Sequence, residues 1–268
     1  MKNRIYFGDD LKILEELDDG SATLIYIKPP VEIDNLWRLP LSNESTKAIT
    51  IGSRKYTDLY DQYLEFLEPR LVQARRVLSS KGTIYFHSTP EKAHYCKALL
   101  LDEIFGSDNF LNEAIWVYSN TRQKSERRWL EKHDNILVYI KDFDNYIFNT
   151  DDIDRLAYMA PNLVGKKKRS RGKLPTDTWF EELTPNGLLS QIIKASSNRK
   201  DLVVQLFAID GSVGETCLKL GRKFILLSNS KKAMKKTAKS LEGKSNIEWL
   251  EFATHSKGKR RGPTRSEF

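Results

Sequence analysis

The stretch Thr23-Leu-Ile-Tyr-Ile-Lys28-Pro29-Pro30-Val31 constrains this chain most, because an apolar run of strand length breaks abruptly into two prolines. Its composition is that of a buried strand. Pro29 and Pro30 each fix φ and withhold a backbone donor, so the strand delivers a stiff loop whose carbonyls point outward. Such a loop holds a group still at the end of a strand.

The rest of the chain alternates strands with helices around that element. Asn3 to Phe7 reads as an extended lead-in, with a turn at Gly8 and a cap for a helix over Leu11 to Leu17. Asp58 to Leu78 carries Leu59, Tyr63, Phe66, Leu67, Leu71, Ala74, Val77 and Leu78 at helical spacing, closed by Ser79-Ser80-Lys81-Gly82. Thr83 to His87 is a second buried strand, Lys92 to Phe105 a helix stopped at Gly106, and Glu113 to Tyr118 a third strand. Further strands are expected at His133–Lys141, Asp201–Phe207, Leu220–Leu227 and Asn246–Phe252, and helices at Gly187–Ser196 and Lys231–Leu241. Two segments lack a period: residues 32–56, read as a long mobile loop over the site, and residues 142–178, the most polar part. At 268 residues this pattern fits one α/β domain over residues 1–253, followed by a basic flexible tail at 254–268.

The net charge of +8 is concentrated in runs, Lys166-Lys167-Lys168-Arg169-Ser-Arg171 and Lys257-Gly-Lys259-Arg260-Arg261. Each is either a solvated surface or dense enough to neutralise several phosphates. No apolar run approaches the ~20 residues of a membrane span and the first residues lack a signal-peptide core, so the expected location is cytoplasmic. Cys96 and Cys217 lie in amphipathic helical context and form no metal-type cluster, which reads as small core residues and no metal. His133 and Asp134 adjoin on one strand and so point to opposite faces, which argues against a joint role in proton transfer.

Several of these stretches resemble one family, the β-type bacterial DNA amino-methyltransferases, which move a methyl group from S-adenosylmethionine to adenine N6 or cytosine N4. The likeness runs from Asn3 to about Leu241. It is continuous through Arg76-Val-Leu-Ser-Ser-Lys-Gly-Thr-Ile-Tyr-Phe-His87, His94-Tyr95 and Asp102-Glu-Ile-Phe-Gly106, and returns at Leu174-Pro-Thr-Asp-Thr-Trp-Phe180 and Ile192-Ile-Lys-Ala-Ser-Ser197. The resemblance implies a doubly wound, Rossmann-like S-adenosylmethionine-dependent methyltransferase fold, with 142–178 as its target-recognition insertion. It also implies contacts to double-stranded DNA from Arg122, Lys124, Arg127, Arg128, Lys166, Lys167, Lys168, Arg169, Arg171, Lys173, Lys259, Arg260 and Arg261.

The departures fall where the family does its chemistry. Its strand ends in Asp-Pro-Pro-Tyr, where an oxygen accepts from the target amine and a ring stacks the flipped base. This chain has Lys28, a donor-only ammonium, and Val31, which offers no ring. The family's Asp-Pro-Phe-Ala/Cys-Gly-Ser-Gly donor loop becomes Gln205-Leu-Phe207-Ala-Ile209-Asp-Gly211-Ser-Val213-Gly214, with Val213 expected to intrude into the turn. Ser228 stands where the ribose acid belongs, and Leu183 to Gly187 lacks the Gln-Lys-Pro element. No catalytic residue is therefore expected at Lys28, Pro29, Pro30 and Val31, and no cofactor binding at Gln205, Phe207, Gly211, Gly214 and Ser228.

The reading that follows is a catalytically silent, DNA-binding subunit of a heterodimer, nucleoid-associated, whose active paralogue holds S-adenosylmethionine. Two alternatives stand beside it: an active adenine-N6 or cytosine-N4 methyltransferase of a restriction-modification system, and a stand-alone DNA-binding regulator. Removing residues 254–268 should weaken duplex binding and flatten the dependence of log K on log salt; a truncated chain with an unchanged slope would make the tail irrelevant.

Overall fold

The structure is a computed structural model that describes residues 2–30, 57–118, 127, 129–181, 187–252 and 260–261. Ten strands form one sheet: β1 (Asn3–Phe7), β2 (Ala22–Ile27), β3 (Leu78–Ser88), β4 (Phe110–Val117), β5 (His133–Ile140), β6 (Thr178–Phe180), β7 (Leu202–Leu206), β8 (Lys223–Ser228), β9 (Ile247–Glu251) and β10 (Arg260–Arg261). Their spatial order is β10-β9-β1-β8-β7-β2-β3-β5-β4-β6. β2 lies between β3 and β7, parallel to both, with Tyr26 beside Tyr85 on one side and Gln205 on the other. β5 runs antiparallel to β3 and β4, and β10 antiparallel to β9.

Alternation along β2 assigns its side chains to two cores. Ile25 and Ile27 join α1 (Asp10–Glu15), α2 (Thr57–Val77), α3 (Pro90–Cys96) and α4 (Asp102–Phe105) through Leu14, Leu67, Leu71, Cys96 and Phe105. Leu24 and Tyr26 face the other layer, where α6 (Gly187–Ser196), α7 (Ser212–Leu220) and α8 (Lys231–Ser240) contribute Ile192, Val213, Cys217 and Met234. Helices on both faces of a mostly parallel sheet make the doubly wound arrangement expected from the sequence. Its crevice falls at the carboxyl ends of β2 and β7, where the chain leaves in opposite directions to reach the two helical layers.

Several boundaries differ from expectation for local reasons. β3 starts at Leu78, so Ser79 to Gly82, expected to be a turn closing α2, is part of the strand. The helix expected over Lys92–Phe105 is α3 and α4 joined by a π-helical turn at Lys97–Leu101. In the insertion the basic run is helical, α5 (Lys166–Arg171), ended at Gly172 with φ +75°. The expected mobile loop at 32–56 lies outside the described residues, and the basic tail supplies β10.

One buried carboxyl ties α1 to the end of β7. Asp10 is 1% exposed; its Oδ2 accepts from the Phe207 N–H at 2.9 Å, while Oδ1 has no partner among the described residues. Phe207 is held at φ +54°, an uncommon conformation for a residue with a bulky side chain. Arg70, itself buried, donates to Asp9 Oδ1 at 2.6 Å and to the Phe66 carbonyl at 2.8 Å. Burial pushes the Asp10 carboxyl up to about 7, against the pull of the Phe207 N–H and the Arg70 guanidinium, with Asp9 adding to the rise.

A carboxyl raised in the folded state favours the protonated form, so its contribution is complete below pH ~4 and is lost as pH rises through about 7. Asp10→Asn keeps an acceptor for Phe207 and removes the titration. Urea unfolding from pH 4 to 8 should show the parent losing stability relative to this variant by on the order of 4 kcal/mol. Parallel pH profiles for the two proteins would refute the assignment.

Candidate functional site

At the carboxyl end of β2 the side chains of Tyr26, Lys28, His87 and Asp134 form one cluster, brought together by β2, β3 and the start of β5. Tyr26 Oη lies 2.6 Å from His87 Nδ1, and His87 Nε2 lies 2.7 Å from Asp134 Oδ2. Lys28 Nζ reaches the same Asp134 oxygen at 3.2 Å and sits 3.1 Å from His87 Nε2. One neutral tautomer satisfies the Asp134 and Tyr26 contacts together, and in it Lys28 Nζ lies beside Nε2 as a second donor to Asp134 and not as its hydrogen-bond partner. Nε2–H donates to the carboxylate, and Nδ1 accepts from the tyrosine hydroxyl. The opposite tautomer would set a nitrogen lone pair against Asp134.

The electrostatics agree with that assignment. His87 is 2% exposed, and burial holds its pKa below the ordinary value, with Lys28 assisting and the Asp134 hydrogen bond opposing. Burial raises the Asp134 carboxyl, but the His87 hydrogen bond and the Lys28 ammonium together outweigh it and leave it below the usual carboxylate range. Tyr26 is pushed upward by burial, with Asp134 and Asp210 adding, and so stays a donor. The imidazole is neutral with both nitrogens engaged, and its carboxylate partner is shared with an ammonium. The cluster ties Lys28 to β3 and β5, with Asp134 Oδ2 taking both the imidazole N–H and the ammonium.

Pro29 is buried and Pro30 half-buried, as a rigid loop requires, whereas Val31 lies outside the described residues. The sequence pattern singled out Lys28 but missed Tyr26 and His87 as its neighbours. His133 and Asp134 do diverge, as strand geometry demands: the aspartate pairs with His87 from β3. A cation at the end of a buried strand requires a carboxylate nearby, but periodicity gives no address for it.

At the ends of β7 and β8 the second set of expected positions comes together. Gln205 and Ser228 are buried in neighbouring strands, with Gln205 beside Leu226, two residues before Ser228. The Gln205 Oε1 has no partner among the described residues. Ser228 Oγ accepts from the Ser230 N–H at 3.3 Å, and the Ser230 side chain caps α8. Asp210 Oδ1 takes the backbone and hydroxyl of Ser212, at 3.0 and 2.6 Å, to open α7. No carboxylate stands at the end of β8, so these residues lack the ribose acceptor that the resemblance implies.

Val213 requires a correction. It does not break the turn; it is 1% exposed inside α7, packed in the second core, and the exposed residue of the turn is Ile209. One step of alignment explains the difference, since the turn ends at Gly211 and Val213 is already helical. Gly214 serves packing: a Cβ there would meet Phe224 and Leu226 at 3.3 Å, so its absence lets α7 approach β8 closely. A cavity of about 400 Å³ lies between α6 and the insertion, walled by Tyr85, Val138, Trp179 and Ile192, and touches neither Lys28 nor Gln205.

The residues expected on the DNA side divide. Lys166, Lys167, Lys168, Arg169 and Arg171 lie exposed along α5, with Arg171 donating to Asp151 at 2.5 Å. Lys173 is half-buried, its backbone bridged to Leu156, and Arg127 is exposed. Arg260 and Arg261 form β10, while Arg122, Lys124, Arg128 and Lys259 lie outside the described residues. Among the described residues no group of histidine, cysteine, aspartate or glutamate could hold a metal ion, and no helix is long and apolar enough to cross a membrane.

Comparison with known proteins agrees with the fold. The DNA methylase family, N6_N4_Mtase, matches residues 22–240. The chain is 25% identical over 263 residues to the type II methyltransferase M.HpaI of Haemophilus parainfluenzae, covering 92% of this chain and 76% of that protein. It is 25% identical over 276 residues to the DNA adenine methyltransferase YhdJ of Escherichia coli, covering 95% and 88%. The type II methyltransferase M2.MboI of Moraxella bovis is 26% identical over 233 residues, covering 82% and 81%. Among solved structures, a candidate DNA modification methylase of Thermus thermophilus, complexed with S-adenosyl-L-methionine, superposes with TM-score 0.61 at 17% identity, covering 92% and 99%. The cytosine-N4-specific PvuII DNA methyltransferase gives 0.56 at 16%, covering 90% and 86%. A match over most of the chain, from the strand before the Pro-Pro loop to the end of α8, places this protein in the N6/N4 DNA methylase family.

Proposed function

We propose that this chain is a DNA-binding subunit of a heteromeric site-specific DNA amino-methyltransferase, performing no methyl transfer itself and supporting an active paralogue that carries S-adenosylmethionine. One observation carries the reading: the Lys28 ammonium, clasped by Asp134 beside His87, stands where methyl transfer to an exocyclic amine needs an acceptor. An ammonium donates only, and both of its neighbours are already engaged with it or with each other. The neutral imidazole spends both nitrogens, one on Tyr26 and one on Asp134. Asp134 already shares one oxygen between two donors.

A cation at this position also opposes the methyl donor, whose sulfonium would lie close to the target amine. The ribose side offers Ser228 in place of a carboxylate, with its hydroxyl already accepting from Ser230. Each lost charge-assisted hydrogen bond is worth about 1.5–3 kcal/mol, so the combined deficit removes several orders of magnitude in binding or rate. DNA contact needs none of these groups. Phosphate contacts from α5 and the basic tail position a duplex without reading it, which suits a cytoplasmic, nucleoid-associated partner subunit.

An active amino-methyltransferase is the second reading, favoured by Gly211 at the turn before α7 and by Gly214 within that helix, which keeps the close approach of α7 to β8. Calorimetry separates the two. The purified chain should give no saturable heat with S-adenosylmethionine up to millimolar concentration, yet bind duplex DNA with a steep salt dependence and co-purify at equal stoichiometry with a co-expressed paralogue. Saturable micromolar cofactor binding, or labelled methyl appearing in DNA treated with this chain alone, would overturn the silent-subunit reading in favour of the enzyme. Duplex binding with no paralogue captured would leave a stand-alone DNA-binding protein.

A further inference from the structure

α8 carries lysine at 231, 232, 235, 236 and 239, all five exposed, and no acidic residue in its first turn. Its apolar positions, Ala233, Met234 and Ala238, together with Thr237, are buried, with Met234 packed in the second core. Two rules of helix stability are broken on the outward face. Lysines 231 and 232 sit at the positive end of the helix dipole, where acids are favoured. The pairs 231 and 235, 232 and 236, and 235 and 239 place like charges one turn apart, where they repel. No ion pair relieves these lysines among the described residues. A surface that served only solubility would intersperse acids; one that breaks local rules this consistently is shaped by something that lies against it.

Position separates this face from the insertion. α8 links β8 to β9, with β1 between them, and β10 extends the same margin of the sheet. The insertion instead feeds β6, at the opposite end of the strand order. We propose that the lysine face of α8 is a second contact for duplex DNA that grips phosphates without regard to sequence. This inference rests on the DNA-binding reading above and adds a site to it.

Geometry and chemistry favour this occupant. Lysines 231, 235 and 239 form a row with about 6 Å between rungs and about 12 Å from end to end, comparable to the width of the major groove between its flanking phosphates. A lysine offers a flexible point charge, suited to phosphate and not to base edges. A bilayer is a poorer fit. Helices that lie on membranes insert an apolar face, and the apolar face of α8 is already committed to the core. DNA held along this margin would run past the site, so that its flanks are bound independently of the bases at the crevice.

The test replaces all five lysines, Lys231→Gln, Lys232→Gln, Lys235→Gln, Lys236→Gln and Lys239→Gln, in the full chain. Glutamine is a good helix former and the exchange removes repulsion, so the fold should persist; circular dichroism checks this. A second protein carries arginine at the same five positions. Binding to a 30-base-pair duplex of arbitrary sequence is followed by anisotropy between 50 and 200 mM salt. The glutamine variant should bind about 10- to 100-fold more weakly at 100 mM salt, with the slope of log K against log salt smaller by about 2–4, while the arginine variant keeps the parental slope. Equal affinity and slope for parent and glutamine variant would overturn this site and leave the DNA-binding reading intact. Failure of the parent to bind the duplex at any salt would instead remove that reading. Lost binding to vesicles rich in phosphatidylserine, with DNA binding unchanged, would assign the face to lipid and overturn the proposal.

Discussion

The ion pair between Lys28 and Asp134 is the constraint around which the centre of this molecule is arranged. A lysine at the carboxyl end of β2, one of the two central strands, would leave its charge over a buried imidazole unless a carboxylate stood within reach. β5, running antiparallel to β3, begins at that point and supplies it. His87 then has a single workable tautomer, Tyr26 a fixed hydroxyl direction, and the Pro-Pro loop a tether at its first residue. Removing Asp134 would leave an ammonium facing a desolvated ring, whereas removing Lys28 would leave the His87–Asp134 bond in place. The aspartate therefore governs order in the cluster, and the lysine governs its charge.

Much of the architecture was legible because strand and helix periods are written plainly here. The alternation of β2, the spacing of Leu67, Leu71 and Ala74, and the stop at Gly106 specify elements without help from tertiary contacts. What escaped was non-local. That Ser79 to Gly82 extends β3 follows from pairing, since the Gly82 carbonyl accepts from Lys141 and the Lys81 carbonyl from Ile147. That Asp134 meets His87 depends on strand register. Val213 was misplaced because a one-residue uncertainty in a glycine-poor turn moves a side chain from a pocket into a helix. The Phe207 conformation left no trace in composition, because Asp10, 197 positions away, imposes it through one hydrogen bond.

The residues around the crevice divide between those that hold the scaffold and those that stand at the strand ends. Gly214 still lets α7 approach β8, Asp9 still caps α1 and anchors Arg70, and the helical layers still cover both faces of the sheet. These features answer to packing, and any sequence that keeps the fold must keep them. Lys28 and Ser228 answer also to local partners, Asp134 and the Ser230 N–H, while Ile209 is exposed in the turn before α7. Fold identity is thus secured by residues that say little about reactivity, and the family match does not by itself assign a reaction.

β10 bears on the outer margin of the sheet in another way. Two residues, Arg260 opposite Glu251 and Arg261 opposite Leu250, cover the last two positions on the rim of β9. An uncovered rim offers its peptide groups to any neighbouring chain, so this short strand acts as a chaperoning hem, and its cationic composition disfavours pairing with a second copy. Protein shortened before residue 260 would present that bare rim, and stickiness between copies would then accompany any change in its hold on polyanions.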